Sequence, residues 1–281
     1  MGVRKVRPTS NARRQLVYSD FSDVTSGPKV KGLLKSKKAT NGRNNTGKIT
    51  IRHRGGGVKR MVRVIDFKRN KFDIPATVKT IEYDPGRGGR IALLSYADGE
   101  KRYIVAPDTL KVGDKVINSQ KEIEIKVGNT MPVQFIPAGI AVNCVELEFG
   151  KGAKVARSAG NSVMVMGVEG KHAQLKMPSG EIRLVFKNAL CTIGKISNPD
   201  LMHVTFGKAG RMRNKGWRPA TSGKAMNPCD HPHGGGEGHQ PIGLKGPKTK
   251  WGKPARGVKT RTKQSTDKFI VQRRNKNRKR K

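Results

Sequence analysis

The stretch of this chain best equipped for chemistry runs Ala225-Met226-Asn227-Pro228-Cys229-Asp230-His231-Pro232-His233-Gly234-Gly235-Gly236-Glu237-Gly238-His239. Its three His, Cys, Asp and Glu are the residue types that ligate metals or pass protons. Cys229, His231 and His233 alternate at a spacing of two, but no second ligand pair follows at zinc-finger separation, and Pro232 restricts how the two imidazoles could converge. A hydrolase is also poorly supported: there is no G-x-S-x-G elbow, and a Cys–His pair needs a rigid scaffold, the opposite of what Gly234 to Gly236 lead one to expect. Imidazole does suit RNA, because the ring stacks on bases and donates to phosphate from whichever nitrogen is protonated. His231 and His233 are therefore expected to contact RNA, with no catalytic residue, no metal and no cofactor.

A second candidate is Arg52-His53-Arg54-Gly55-Gly56-Gly57-Val58-Lys59-Arg60. Three glycines between basic pairs let a main chain approach phosphate while Arg52, His53, Arg54, Lys59 and Arg60 clamp neighbouring phosphates. The spacing is not that of a nucleotide-hydrolase loop, either here or at Gly246-Pro247-Lys248-Thr249, because G-x-x-x-x-G-K-S/T is missing. The alternative is a flexible solvated loop.

The charge distribution points the same way. The chain holds 59 Lys and Arg against 20 acids, a net charge of +39. Residues 1–72 contain 20 Lys and Arg with 3 acids, residues 207–281 contain 22 with 3, and the segment between is nearly balanced at 17 with 14. Two cationic arms on a near-neutral body imply a polyanionic partner, since like charges at this density keep an isolated segment expanded. Cys144, Cys191 and Cys229 are odd in number and far apart, which fits free thiols in a reducing compartment. No apolar run reaches membrane-spanning length, so no membrane partner is expected. The basic start could pass for a transit peptide, but Asp20 and Asp23 follow at once and a mature terminus is preferred.

The elements that must position these residues are strands. Residues 74–83 are rich in β-branched side chains and end at Asp84-Pro85-Gly86; residues 90–96 and 101–105 flank Asp98-Gly99, a hairpin signal. Further strands are expected at 140–149, 161–168, 174–177 and 182–186, the last two joined across Pro178-Ser179-Gly180. Turns about every ten residues, with hardly any helical period, predict a mainly β protein of two small antiparallel barrels dividing near residue 130. Val78, Leu93, Ile104, Val142, Leu147, Val165 and Leu184 are the expected core. The organisation is then a basic extension over 1–72, a first barrel over 73–130, a second over 131–206 and an irregular basic extension over 207–281. Trp217, Trp251 and Phe269 either stack on bases or fill local gaps.

Seven blocks, in order and spanning nearly the whole chain, carry a family resemblance: GRNNTGKITIRHRGGGVKR (42–60), DFKRNKFDIPATVKTIEYDPGR (66–87), YADGEKRYIVAP (96–107), GKGAKVARSAG (150–160), GKAGRMR (207–213), AMNPCDHPHGGGEG (225–238) and TDKFIVQRR (266–274). Together they resemble the L2 proteins of the large ribosomal subunit in their bacterial or organellar form. The resemblance implies an oligonucleotide-binding-like barrel followed by an SH3-like barrel, with extensions threading into large-subunit rRNA. It implies neighbouring ribosomal proteins as partners, contact with small-subunit rRNA at the subunit interface, no homo-oligomer, and residence in a cytoplasmic or organellar ribosome. Roles in assembly, subunit joining, tRNA binding and support of the peptidyl transferase centre come with it.

Arg87, after the Asp84-Pro85-Gly86 turn, and Arg157, in Val155-Ala156-Arg157-Ser158, match basic positions that the family uses to hold RNA. Lys68, Arg69, Lys208, Arg211, Arg213, Lys268, Arg273 and Arg274 lie in the matching blocks and, with Arg218 and Asn227, complete the expected RNA-binding set. One His of the His231-Pro232-His233 stretch is linked in the family to peptidyl transfer, read here as structural support. The departures are Val58 where the family usually has His, Cys229 where it has Val, and Ser222 near a family Arg. Two other classes compete with this reading. A general nucleic-acid packaging protein would not need the β-patterned middle, and a metal enzyme centred on Cys229, His231 and His233 would need stoichiometric metal.

Overall fold

The computed structural model describes residues 2–274 except 26, 28, 239, 240 and 263. His239 and the basic stretch 275–281 therefore lie outside the described residues. The chain forms two compact units, one from Met1–Lys38, Lys59–Ala209 and Asp267–Lys281, the other from Ala39–Val58 and Gly210–Thr266. It is mainly β, 29% strand against 10% helix, with curled antiparallel sheets of the oligonucleotide-binding-like and SH3-like kind. No helix among the described residues is long and apolar enough to cross a membrane.

The amino-terminal segment of the first unit is built into the fold. β1 (Val3–Lys5), the single turn α1 (Asn11–Arg14) and β2 (Val17–Ser19) form an antiparallel pair closed through the turn, and Leu16 is buried beside it. β3 (Leu34–Lys37) pairs with β4 (Arg60–Arg63). The first barrel sheet follows: β5 (Ala76–Glu82), β6 (Ile91–Tyr96), β7 (Lys101–Val105) and β8 (Lys115–Val116), in the spatial order β7-β6-β5-β8. A turn at Asp98-Gly99, with Gly99 at φ 83°, reverses the chain between β6 and β7, as the sequence led one to expect. The inner face of this sheet packs Ala76, Val78, Ala92, Leu94, Ile104 and Val116. Its other face carries Ile91, Leu93 and Tyr103, covered by Val30, Leu33 and Ile65. β6 is thus buried on both faces, which is why Ile91-Ala92-Leu93-Leu94 reads as an apolar run and not as an alternation. Each Ile or Leu of this run, once buried, contributes about 1.5–3 kcal/mol.

β9 (Thr130–Pro132), β10 (Ala141–Asn143), β11 (Val163–Glu169), β12 (His172–Lys176), β13 (Ile182–Phe186) and β14 (Leu190–Ile193) make the second sheet. Its spatial order is β13-β12-β11-β10-β14-β9. Met131, Val133, Val142, Val163, Val165, Leu175 and Cys191 fill its core. The strand expected over 140–149 stops at Asn143, because Cys144 adopts φ 48°, left-handed backbone that cannot continue a pleat. Beyond it, the fully buried Glu146 accepts hydrogen bonds from the backbone N–H groups of Gly152 (2.7 Å) and Gly150 (3.2 Å), fixing the loop. Five of the seven expected core residues are buried, Leu147 packs partly against the core, and Leu184 sits half-buried opposite Gln174.

The helix α2 (Ala209–Asn214) leads into the carboxy-terminal segment, and β15 (Ile270–Gln272) returns to pair with β13 at the edge of the second sheet. Phe269 lies 6.2 Å from the Phe186 ring and 6.1 Å from that of His172, so it fills a local gap. The second unit is different in kind. None of its described residues is buried, and it contains 17 Lys and Arg against 2 acids. Backbone hydrogen bonds and close glycine contacts hold it, with no apolar core among the described residues.

Candidate nucleic-acid interface

In the second unit, the strip around Arg52, His53 and Arg54 runs antiparallel to residues 214–218. Gly55 N–H donates to Gly216 O at 2.9 Å, Arg218 N–H to His53 O at 3.0 Å, and Val58 N–H to Asn214 O at 3.0 Å. A Cβ on Gly57 would lie 2.9 Å from the Gly216 backbone, so this glycine serves the approach of two protein strands and not of a phosphate. The Arg54 guanidinium lies 3.3 Å from the centre of the Trp217 ring, a cation–π stack that fixes its plane. Arg52 is 6.0 Å from the Trp251 ring, which is 75% exposed. Arg211 and Arg213 project from α2, half-buried, and Arg218 is exposed.

The Asn227–Gly235 segment is a tight knot, contrary to the looseness its glycines suggest. Asn227 O accepts from Asp230 N–H (3.0 Å) and His231 N–H (3.3 Å), His231 O accepts from Gly234 N–H (2.8 Å), and Met226 O from Gly235 N–H (3.1 Å). A Cβ on Gly234 would stand 2.2 Å from Asn227 O, and one on Gly223 would stand 2.6 Å from the His231 ring. The glycines are there because the chain is too closely packed for side chains. The two imidazoles lie 4.8 Å apart. His231 Nδ1 accepts from His233 N–H at 3.0 Å, and His233 Nε2 accepts from Lys248 N–H at 2.8 Å. These bonds select the tautomers: His231 carries its proton on Nε2 and His233 on Nδ1, so each ring presents an N–H donor. Among the described residues, no three His, Cys, Asp or Glu side chains converge as a metal-holding set.

In the first unit, two of the family-matched positions come together. The fully buried Asp84 accepts from Gly86 N–H at Oδ1 (2.9 Å) and from Arg87 Nε at Oδ2 (2.8 Å). Anchoring Nε leaves the Arg87 Nη groups to another acceptor. Arg87 lies 5.5 Å and Arg157 5.0 Å from the centre of the Phe67 ring, so the two guanidinium groups share one aromatic ring. Phe67 escaped the sequence reading, since nothing local signals that arginines 20 and 90 residues further on converge upon it. The nearby Cys144 thiol is pushed up to about 11 by burial, with Arg69, Arg157 and Arg87 opposing. Cys191 is likewise driven upward by burial and, like Cys144 and Cys229, is a free thiol.

Lys59, Lys68 and Lys208 are exposed, while Arg60 reaches the Pro85 carbonyl at 3.5 Å. Arg69 is placed inside the protein. It is 6% exposed, donates from Nη2 to Gly128 O (2.8 Å) and from Nε and Nη2 to Thr130 Oγ1 (3.2 and 3.1 Å), and so ties the segment before β5 to the second sheet. Burial pulls its guanidinium below the ordinary value, against Tyr96, Asp66 and Cys144. Its place in a basic run gave no hint of this; φ 53° turns it inward. At the carboxy-terminal end, Lys268 is exposed 5.4 Å from the Phe269 ring, Arg273 pairs with Asp267 at 2.7 Å, and Arg274 is exposed.

Two family models match the chain: the RNA-binding N-terminal domain of ribosomal proteins L2 over residues 30–118 and the C-terminal domain of ribosomal proteins L2 over residues 126–252. A strongly cationic chain with two curled β sheets, matched in order by both halves of one family, leads to a single assignment: the chain belongs to the ribosomal protein L2 family, structural RNA-binding proteins of the large ribosomal subunit.

Proposed function

We propose that this chain is an architectural protein that helps order large-subunit rRNA during assembly, supports subunit joining and tRNA binding, and stabilises the peptidyl transferase region without making or breaking bonds itself. The supporting observation is the second unit, which has 17 Lys and Arg, 2 acids and no buried residue among those described. Hydrophobic burial cannot hold such a unit together, and a polyanion would relieve its self-repulsion. The His231–His233 knot belongs to it, which fits a positioning role in which two imidazole N–H groups are offered to RNA. Exposed Arg157 and the Nη groups of Arg87 supply phosphate contacts from the first unit. Free thiols suit a ribosome in a reducing compartment, cytoplasmic or organellar. Neighbouring ribosomal proteins and small-subunit rRNA are its further partners, and it functions as a single copy.

The test is crosslinking with mass and RNA mapping in cell extract. Adducts should join large-subunit rRNA to peptides of both units; adducts spread evenly over unrelated RNAs would show a packaging protein instead.

A further inference from the structure

We propose that a cleft within the second unit binds one unstacked nucleotide of the RNA chain, its base lying on Ile49 and Ile51 and its phosphate held by Arg43 and Arg218. This rests on the RNA-binding reading above. The cleft has a volume of about 330 Å³ and is lined further by Asn41, His53 and Arg54. That is the small end of ligand sites, room for one nucleotide and not for a duplex.

Its walls are held from within. On one side, Arg43 bridges to Ile49, Ile51 N–H donates to Gly42 O at 3.1 Å, and Asn44 Oδ1 accepts from Lys48 N–H at 3.0 Å and Thr46 N–H at 3.1 Å. On the other, the Arg54–Trp217 bridge and stack fix the strip. Two lining residues that bear a Cβ, Asn41 (φ 50°) and His53 (φ 60°), hold left-handed backbone, the kind of local strain that gathers at binding sites.

The chemistry of the lining selects the ligand. Ile49 and Ile51 are 59% and 58% exposed, an apolar surface in one of the most cationic parts of the chain. Inorganic phosphate would use the arginines and leave the isoleucines idle; an uncharged apolar ligand would do the reverse. A nucleotide uses both, with an apolar base face on the isoleucines and its anion on guanidinium groups. No acid lines the cleft to repel it. Splayed single nucleotides are also the way proteins take hold of RNA in loops and bulges.

The experiment measures binding of the full chain to a large-subunit rRNA fragment across a salt series. The double variant I49A/I51A should bind about tenfold more weakly with an unchanged slope of log affinity against log salt, since only a base contact is lost, and the conservative double variant I49L/I51L should keep most of the affinity. Arg43→Gln should reduce the slope by about 0.7 to 0.9, one phosphate's worth. Ultraviolet crosslinking of the unaltered complex should join a peptide spanning residues 43–54 to a single unpaired nucleotide, a readout independent of whether any variant folds. Unchanged affinity in the double variant, or crosslinks confined to other peptides, would overturn the cleft while leaving RNA binding intact. Equal binding of the unaltered chain to unrelated RNA would instead remove the reading beneath it. Occupation by AMP as tight as by the fragment would mark a free-nucleotide site, and displacement of the fragment by an acidic peptide would mark a protein site; either result refutes the proposal.

Discussion

Arg69 offers the sharpest separation between folding and RNA binding. Sequence places it among the phosphate contacts; the structure spends it on Gly128 O and on Thr130 Oγ1, which in turn lies 2.9 Å from Thr192 Oγ1. Replacing it with Ala removes hydrogen bonds from a charged donor and leaves a buried carbonyl and hydroxyl short of partners, a loss of about 3 to 5 kcal/mol before relaxation. Replacing it with Met keeps most of the volume and also removes a desolvated charge whose Nη1 has no partner, so the cost should fall to about 1 to 2 kcal/mol. Against a total stability of roughly 5 to 15 kcal/mol, the first variant is severe and the second tolerable. Both tryptophans lie in the second unit, so unfolding of the first must be followed by far-ultraviolet circular dichroism in a urea series and not by tryptophan emission. The Met variant should also bind rRNA with an unaltered salt slope. A normal urea midpoint for Arg69→Ala, combined with a slope reduced by about 0.7 to 0.9, would make Arg69 a phosphate ligand and refute the assignment.

Further outcomes follow from the same geometry. Gly234→Ala, which drives a Cβ into Asn227 O, should open the His231–His233 knot to proteases and weaken incorporation into subunits, whereas Gly246→Ala, which meets nothing within 4 Å, should be silent. Arg157→Gln should lower the salt slope with no change in the urea midpoint. Ending the chain at residue 266 removes β15 and Phe269 and uncovers Phe186, so it should destabilise the second sheet by about 1 to 3 kcal/mol; an unchanged midpoint would show that the edge strand contributes nothing. Iodoacetamide near pH 8 should modify exposed Cys229 quickly, half-buried Cys144 slowly and buried Cys191 only on unfolding. Because the folded state raises the Cys144 thiol from 9.0 to about 11, its contribution to stability is present in full below pH 9 and lost as pH climbs from 9 to 11. A stability flat across that window in the native chain, against the same measurement on Cys144→Ala, would contradict the burial of the sulfur.

Much of this molecule was legible in one dimension. β-branched runs, the Asp84-Pro85-Gly86 and Asp98-Gly99 turns and the lopsided charge are local properties, and strand pleating, turn geometry and electrostatic repulsion act over a few residues or on sums of charge. Local sequence therefore determined the polyanionic partner, the buried positions Val78, Leu93, Ile104, Val142 and Val165, and β5, β6 and β7 of the first sheet but not the short β8. What it could not determine was which way a residue faces once distant segments meet. Arg69 and Arg157 are both arginines in basic surroundings, yet one is buried against Gly128 and Thr130 and the other lies exposed beside Phe67. Gly57 reads as an opening for phosphate and Gly234 as a loosening element, yet each marks a backbone contact too close for a Cβ. Cys144 ends a strand that residue types alone would have continued. Burial, close approach and left-handed backbone are imposed by partners tens of residues away, so only the tertiary structure decides them.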